Sequence, residues 1–338
     1  MKKLDFWLVL PAFFLSILGL VTLYSIAPEF FQSQAIYLAI SLVIFLVISQ
    51  IEALFFTTLS TIGYLLSLLV LSLTFLLGQT SRGAARWLAI GPVGFQPSEI
   101  VKPFLILFFA SLLAKEKGGL LKSMAALVPP VMLIFLQPDL GSALVILAIW
   151  MGMVLAKGVS FRIIGAGGLI LVASLPLFWK VLAPYQKERL TNFLNFGSDP
   201  LGASYSQIQA KISIGSGRFF GKGLGHGTQS VLKFLPEYQS DFIFAAFGEE
   251  WGFVGVSVVL FLYFVLFSRL LSLAGQVEEK KSLVFVGIFA FLFFQTTVHI
   301  GMNLELLPIT GLTLPFISSG GSSLLACWTV VGIATAME

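Results

Sequence analysis

The chain has 338 residues, 57% of them hydrophobic and only 11% charged, with 34 phenylalanines and a mean hydropathy of +0.98. A water-soluble domain carries about 25% charged residues, so a soluble globule is excluded. The net charge of +4 is spread through loops rather than gathered in one basic run, so nucleic acid is not expected as a partner. The single cysteine, Cys327, can form no intrachain disulfide.

Ten apolar segments follow in chain order, at about 6–27, 35–50, 59–78, 97–114, 123–137, 140–156, 162–180, 242–268, 282–303 and 315–337. A membrane-spanning helix needs roughly 20 apolar residues. The clusters of Phe, Leu and Val show no period-2 alternation, which sets a β-barrel aside. The expected fold is an all-α integral membrane protein of about ten transmembrane helices, one polytopic domain over 1–338, with a large extracytoplasmic loop at about 181–241 between helices 7 and 8. The run Phe6–Ala27 after Lys2 and Lys3 is too long for a signal-peptide core and is expected to stay as the first helix.

With the N-terminus inside, the inner side carries Lys2, Lys3, Lys115, Lys117, Lys122, Lys157, Arg162, Arg269, Lys280 and Lys281. The outer side carries as many, but all except Arg82, Arg86 and Lys102 lie in the long loop, and long loops translocate largely regardless of charge. The count therefore favours an inner N-terminus and an outer long loop. Many acidic residues then fall at the outer ends of helices, and an ionisable group at membrane depth is a functional-site hypothesis.

The first motif runs from Arg86-Trp87 through Gln96-Pro97-Ser98-Glu99 to Lys102. Pro97 suits a first helical turn, and Glu99 and Lys102, three apart, share a face and can pair. Read structurally they are an insertion-assisting ion pair. Read functionally, Arg86 and Lys102 are cations for an anionic ligand and Trp87 is a sugar or headgroup platform, although a lone Trp is more often an interface anchor. The second motif is Gln137-Pro138-Asp139. The apolar segment before it contains Pro129-Pro130 and is too short for a full span, so Asp139 either lines a cavity at a broken helix pair or simply caps the helix beginning at Leu140.

The third motif, Gly215 to Gly227, alternates glycines with Arg218 and Lys222. It does not have Walker A spacing, but a nest of backbone N–H groups with two cations would hold a pyrophosphate, and a flexible surface loop is the plainer reading. The fourth runs from Phe234 to Gly252 and includes Asp241 at the start of an apolar helix, Glu249 eight residues on near the same face, and Glu250 turned away. Asp241 could act as a general base at a cavity mouth or as an N-cap. The last, Gly301 to Ser323, is too rich in Pro and Gly for regular helix, and irregular backbone at membrane depth must be buried in protein or line a wet cavity. His226 and His299 are too few for a zinc site. The cofactor is unknown, with a carboxylate-held divalent cation, Mg or Mn, left open.

Taken in order, Arg86-Trp87-Leu88, Gln96-Pro97-Ser98-Glu99, Gln137-Pro138-Asp139-Leu140-Gly141, Gly221-Lys222-Gly223, Leu235-Pro236-Glu237 before Asp241-Phe242-Ile243-Phe244, and Leu314-Pro315-Phe316-Ile317-Ser318 before Gly320-Gly321-Ser322-Ser323 resemble the SEDS family (shape, elongation, division and sporulation). The sequence around Asp241 looks more like the elongation member than the division member. The resemblance implies a ten-helix peptidoglycan glycosyltransferase of the bacterial cytoplasmic membrane. It would polymerise lipid II at the outer face beside a class B penicillin-binding protein that crosslinks the strands, within the elongation machinery. It places the family's essential aspartate on Asp241, its Arg-Trp pair on Arg86 and Trp87, and its fourth-helix pair on Glu99 and Lys102. Two positions depart from the pattern: Ser319 stands where tyrosine is common, and Glu305 where glycine is usual.

The expected chemistry has Asp241 as general base and undecaprenyl pyrophosphate as leaving group. Arg86, Lys102, Arg218 and Lys222 would stabilise the diphosphate, and Trp87, Glu99, Asp139 and Glu249 would line the site. A lipid II flippase is the rival reading, since broken helices and buried charges fit a transporter equally well.

Overall fold

The computed structural model describes residues 4–338 except 82–83, 91–92, 116–117 and the stretch 161–204, of which only Gly165, Ala173, Trp179, Lys180, Lys187 and Thr191 are described. Most of the predicted span at 162–180, Arg162 among it, therefore lies outside the described residues.

The described chain is a bundle of apolar helices: α1 (Phe6–Ile26), α2 (Pro28–Gln50), α3 (Ala53–Leu77), α4 (Pro97–Ile100), α5 (Lys102–Leu113), α6 (Gly119–Leu136), α7 (Leu140–Ala156), α8 (Tyr205–Ser216), α9 (Thr228–Val231), α10 (Ile243–Ala274), α11 (Glu279–Asn303) and α12 (Gly321–Met337). Six of these are long and apolar enough to cross a membrane, and α7 and α12 are shorter apolar helices. Their starts follow local chemistry. The Asp5 carboxylate accepts from the Trp7 N–H at 2.9 Å and caps α1. Pro28 and Pro97 occupy first turns, where the missing N–H has no intrahelical partner to lose.

Several boundaries differ from the sequence reading, the last helix starting at Gly321 rather than near 315 and the third at Ala53 rather than near 59, and two differences have a local cause. The second helix begins at Pro28 rather than near residue 35, because Glu29 suits its positive end and leaves Phe30–Gln34 free to continue it. The 123–137 segment is not short and broken. Pro129 and Pro130 lie inside one continuous 18-residue helix, about 27 Å long, which starts at Gly119 because Lys122 can sit on the exposed face.

Small residues let the helices approach. A methyl group at Gly321 would lie 2.5 Å from the Tyr37 ring carbons of α2, one at Gly332 2.9 Å from Ile48, and one at Gly287 of α11 2.1 Å from Met153 of α7. Trp328 of α12 donates to Ser16 of α1 at 3.2 Å, a satisfied polar contact in the core.

Two irregular features were not anticipated. A small antiparallel sheet, β1 (Gln79–Ser81), β2 (Ala84–Ile90) and β3 (Val93–Phe95), connects α3 to α4, with Leu88 opposite Phe95 and Gln79 opposite Trp87. In α10, Gly252 adopts φ 63° and ψ −164°, which breaks the helix into Ile243–Trp251 and Phe253–Ala274. The second piece alone is about 33 Å long, enough for a span.

Candidate active site

Asp241 lies in the turn before α10, half-buried. The helix starts at Ile243 with Phe242 as its N-cap residue, so the expected cap at Asp241 falls one residue early. The position of Asp241 is set through its backbone. Three successive carbonyls are held: Gln239 accepts from the Ser319 N–H at 2.9 Å, Ser240 from Ser318 Oγ at 2.8 Å, and Asp241 from Asn303 Nδ2 at 3.0 Å. Asn303 Oδ1 in turn accepts from the Ala245 N–H at 3.1 Å, fixing the first turn of α10. A Cβ at Gly311 would stand 3.7 Å from Asp241 Oδ2, and Gly311 has φ 74°, so this glycine permits both the turn and the approach to the carboxylate. Tyr238, outside the spans, has its phenol pushed above the ordinary range by burial first and then by Glu29. It stays protonated at neutral pH and is no rival base.

The loop from Leu304 to Gly320 is the other wall. Its backbone is held by side chains of α11 and α2, as irregular backbone among apolar helices requires. Gln295 Nε2 donates to the Thr313 carbonyl at 3.0 Å and to Thr313 Oγ1 at 2.9 Å. The His299 ring lies with Nδ1 2.7 Å from the Leu312 carbonyl, which can only accept, so that nitrogen carries the proton. Gln34 of α2 brackets the loop end, donating to the Ser318 carbonyl at 3.1 Å and accepting from the Gly320 N–H at 3.2 Å. Gln295, His299 and Asn303 are all fully buried and spaced four apart, so they form one polar stripe along α11. Sequence reasoning missed this stripe. Its signal was three hydrogen-bonding side chains at i, i+4 and i+8 in the C-terminal half of a largely apolar helix.

Lys102 and Glu99 pair as expected, both buried, and the Lys102 ammonium also donates to Gln295 Oε1 at 3.2 Å and lies 5.0 Å from the Phe291 ring centre. Asp139 caps α7 through the Ser142 N–H at 3.2 Å, and its other oxygen accepts from Gln96 Nε2 at 3.0 Å and Ser98 Oγ at 3.1 Å. The Gln96 N–H donates to Ser322 Oγ at 2.9 Å, while Ser323 Oγ is 2.7 Å from Thr313 Oγ1. Asp139 is thus a buried cap and a tie between α4 and α7. A Cβ at Gly141, in the first turn of α7, would meet Leu312 and the Thr310 carbonyl at 3.1 Å, which places this corner against the same loop.

The glycine-rich motif does not form an anion nest. Its N–H groups are used inside the protein: Lys222 donates to the Glu249 carbonyl at 2.9 Å, Gly223 to the Glu250 carbonyl at 3.0 Å, and Gly225 to Glu250 Oε1 at 2.8 Å. Beyond the break, the Phe253 N–H donates to the Arg218 carbonyl at 2.9 Å and the Val254 N–H to the Phe219 carbonyl at 3.1 Å. The loop therefore supplies the backbone partners that α10 loses at Gly252. The glycines serve close backbone contact, since a Cβ at Gly217 would lie 2.0 Å from the Gly248 carbonyl oxygen and one at Gly221 2.1 Å from that of Glu250.

Glu249 fastens the same loop. Fully buried, it accepts from Lys222 Nζ at 2.7 Å, Thr228 Oγ1 and the Gln229 N–H at 3.1 Å, Ser213 Oγ at 3.2 Å and the Ser230 N–H at 3.3 Å. Of the expected cations, Lys102 and Lys222 are thus engaged by carboxylates, whereas Arg218 is exposed. Trp87 on β2 is 38% exposed, and the backbone of Arg86 lies beside it in the same strand. Among the described residues no group of three or more His, Cys, Asp or Glu is placed to hold a metal ion.

Residues 5–338 match the family described as FtsW/RodA/SpoVE, cell cycle protein. The chain belongs to this family. It is similar to peptidoglycan glycosyltransferase MrdB of Escherichia coli, 38% identical over 308 residues that cover 89% of this chain and 83% of the relative. It is also similar to the probable peptidoglycan glycosyltransferase FtsW of Buchnera aphidicola, 35% identical over 308 residues covering 88% and 80%. The crystal structure of Thermus thermophilus RodA superimposes with a TM-score of 0.75 at 29% identity, over 99% of this chain and 96% of that one. A chain from a solved peptidoglycan synthase complex does so at 0.83 and 31%, over 99% and 97%. As an FtsW/RodA/SpoVE protein the chain is a multi-pass membrane protein. Of its two departures from the family pattern, Ser319 enters the Asp241 clamp through its backbone N–H, and Glu305 adopts φ 63°, a conformation that favours glycine.

Proposed function

We propose that this protein is a peptidoglycan glycosyltransferase that polymerises lipid II at the outer face of the bacterial cytoplasmic membrane, working as one membrane domain. The observation that carries the reading is the clamp on residues 239–241, which holds a half-buried carboxylate beside Gly311 at the end of the bundle where α10 and α12 begin and α11 ends. Relatives named peptidoglycan glycosyltransferases support it.

In the reaction, Asp241 takes the proton from the sugar hydroxyl of an acceptor lipid II. The oxygen attacks the anomeric carbon of the lipid-linked donor with inversion, and undecaprenyl pyrophosphate leaves. A positioned base contributes about 10²–10⁴-fold. One carboxylate suffices, because a pyrophosphate departs without a strong acid, whereas a glycosidase needs two. Arg86 and Arg218 are assigned to the leaving diphosphate and Trp87 to a sugar face. Lys102, Lys222, Glu99, Asp139 and Glu249 act from behind, as the groups that fix the walls. A class B penicillin-binding protein is the proposed partner, in keeping with the likeness to a chain of a peptidoglycan synthase complex.

The test is purified protein with fluorescent lipid II and no other polymerase, with Mg²⁺, Mn²⁺ or chelator in parallel. Glycan strands are the expected product. Translocation of lipid II across proteoliposomes with no strand formation would establish the transporter reading in its place.

A further inference from the structure

We propose that Gln295, a residue outside the proposed chemistry, is a positioning residue that ties the buried Lys102–Glu99 pair to the strip of loop lying against Asp241. The inference rests on Asp241 being the base.

Gln295 is fully buried in α11 and uses both ends of its amide. Its oxygen accepts from Lys102, and its nitrogen donates twice to Thr313. Lys102 has donors and no acceptor, so an ammonium beside Gln295 fixes which way the amide points. A reversed amide would set its NH₂ group against the Lys102 donors and its oxygen against the Thr313 carbonyl. The charge on Lys102 therefore orients the two hydrogen bonds that hold Thr313. Thr313 is two residues from Gly311, which lies against the Asp241 carboxylate, and the intervening Leu312 is held by His299. The far side of this strip packs closely on Gly141, where a Cβ would come within 3.1 Å of Leu312 and the Thr310 carbonyl, so the strip has little slack on that side. The chain runs by hydrogen bonds from Lys102 through Gln295 to Thr313, and then along the backbone to Gly311 beside the Asp241 carboxylate. It gives the buried ion pair a use that its lack of solvent contact denies it as a direct ligand.

Initial rates of polymerisation with fluorescent lipid II, measured against lipid II concentration for purified Gln295→Leu, Lys102→Met and the double variant, test this. Gln295→Leu is expected to lower kcat at least tenfold with KM changed less than twofold. The double variant should lose no more than the worse single one, because both cut the same link. Gln295→Glu, nearly the same shape, keeps an oxygen for Lys102 and loses the donor to Thr313. Assayed as folded protein below its own unfolding temperature, it should show the same kcat loss with KM near wild type, which covers the case where Gln295→Leu does not fold. A fully active Gln295→Glu, or losses that multiply in the double variant, would overturn the proposal while leaving the base assignment intact. An active Asp241→Asn would overturn both.

Discussion

Asn303 joins Asp241 to the first turn of the helix that follows it: its Nδ2 donates to the Asp241 carbonyl at 3.0 Å while its Oδ1 accepts the Ala245 N–H at 3.1 Å. One buried amide thereby sets both the place of the carboxylate and the direction in which α10 leaves it. Asn303→Leu removes both bonds; the Ala245 N–H keeps the Phe242 carbonyl as a partner, while the Asp241 carbonyl loses its amide donor, at about 1–3 kcal/mol. If part of that loss falls on the transition state, polymerisation slows by tenfold or more, since about 1.4 kcal/mol is a factor of ten. Steady-state kinetics beside thermal unfolding of the same variant check it. A fully active variant would show that the clamp is dispensable.

Glu249 and Lys222 are predicted to be stability residues. Glu249→Ala leaves the Lys222 ammonium with Thr228 Oγ1 in place of its carboxylate, and the N–H groups of Gln229 and Ser230 without their acceptor. Breaking such a buried pair from one side is destabilising by about 3–5 kcal/mol. Thermal unfolding in detergent should fall clearly, and the 217–231 loop should become a protease target. Lys222→Met should destabilise less, since the lysine is partly exposed, and leave KM near wild type. A KM raised tenfold with unchanged unfolding would return Lys222 to the diphosphate.

The glycines of the same loop separate sharply by position. Gly221→Ala forces a methyl group to within 2.1 Å of the Glu250 carbonyl oxygen at φ 81° and should prevent accumulation of folded protein. Gly225→Ala meets no atom within 4 Å at φ 74°, so only the backbone penalty remains, about 1–2 kcal/mol. Expression and unfolding temperature compared between the two variants test whether the loop is a fitted splint for the α10 break.

Much of the fold was legible because span length is written locally. So were the Asp139 cap and the Glu99–Lys102 pair, which need only residues three apart. The break at Gly252 was not, because a glycine within an apolar run looks the same whether or not a second loop supplies its hydrogen-bond partners. The anion-nest reading of 215–227 met the same obstacle, since the Lys222 and Gly223 N–H groups are claimed by carbonyls of Glu249 and Glu250 and that of Gly225 by the Glu250 carboxylate, far along the chain. The sheet escaped notice because strands as short as Val93–Phe95 carry no readable alternation. The stripe Gln295, His299 and Asn303 was readable in its spacing, yet its partners, Thr313, Leu312 and Asp241, became evident only in three dimensions.

Glu305 offers a stabilising substitution. It holds φ 63°, which costs a non-glycine residue roughly 1–2 kcal/mol. Its ion pair with Lys211, at 3.0 Å, joins a largely buried carboxylate to an ammonium in solvent, and the exposed lysine holds its contribution to about 1 kcal/mol. Relief of strain outweighs the lost pair, so Glu305→Gly should raise the unfolding temperature slightly with activity unchanged. A lower unfolding temperature would show that the pair is worth more than its exposure suggests.

The central claim, that the Asp241 carboxylate takes the acceptor proton, is tested most directly by Asp241→Asn, which keeps the side-chain shape and the three backbone bonds of the clamp. Purified, folded Asp241→Asn should make glycan strands at least a hundredfold more slowly than wild type at neutral pH, a loss in the range of a missing general base. A near-normal rate from the same preparation would contradict the account.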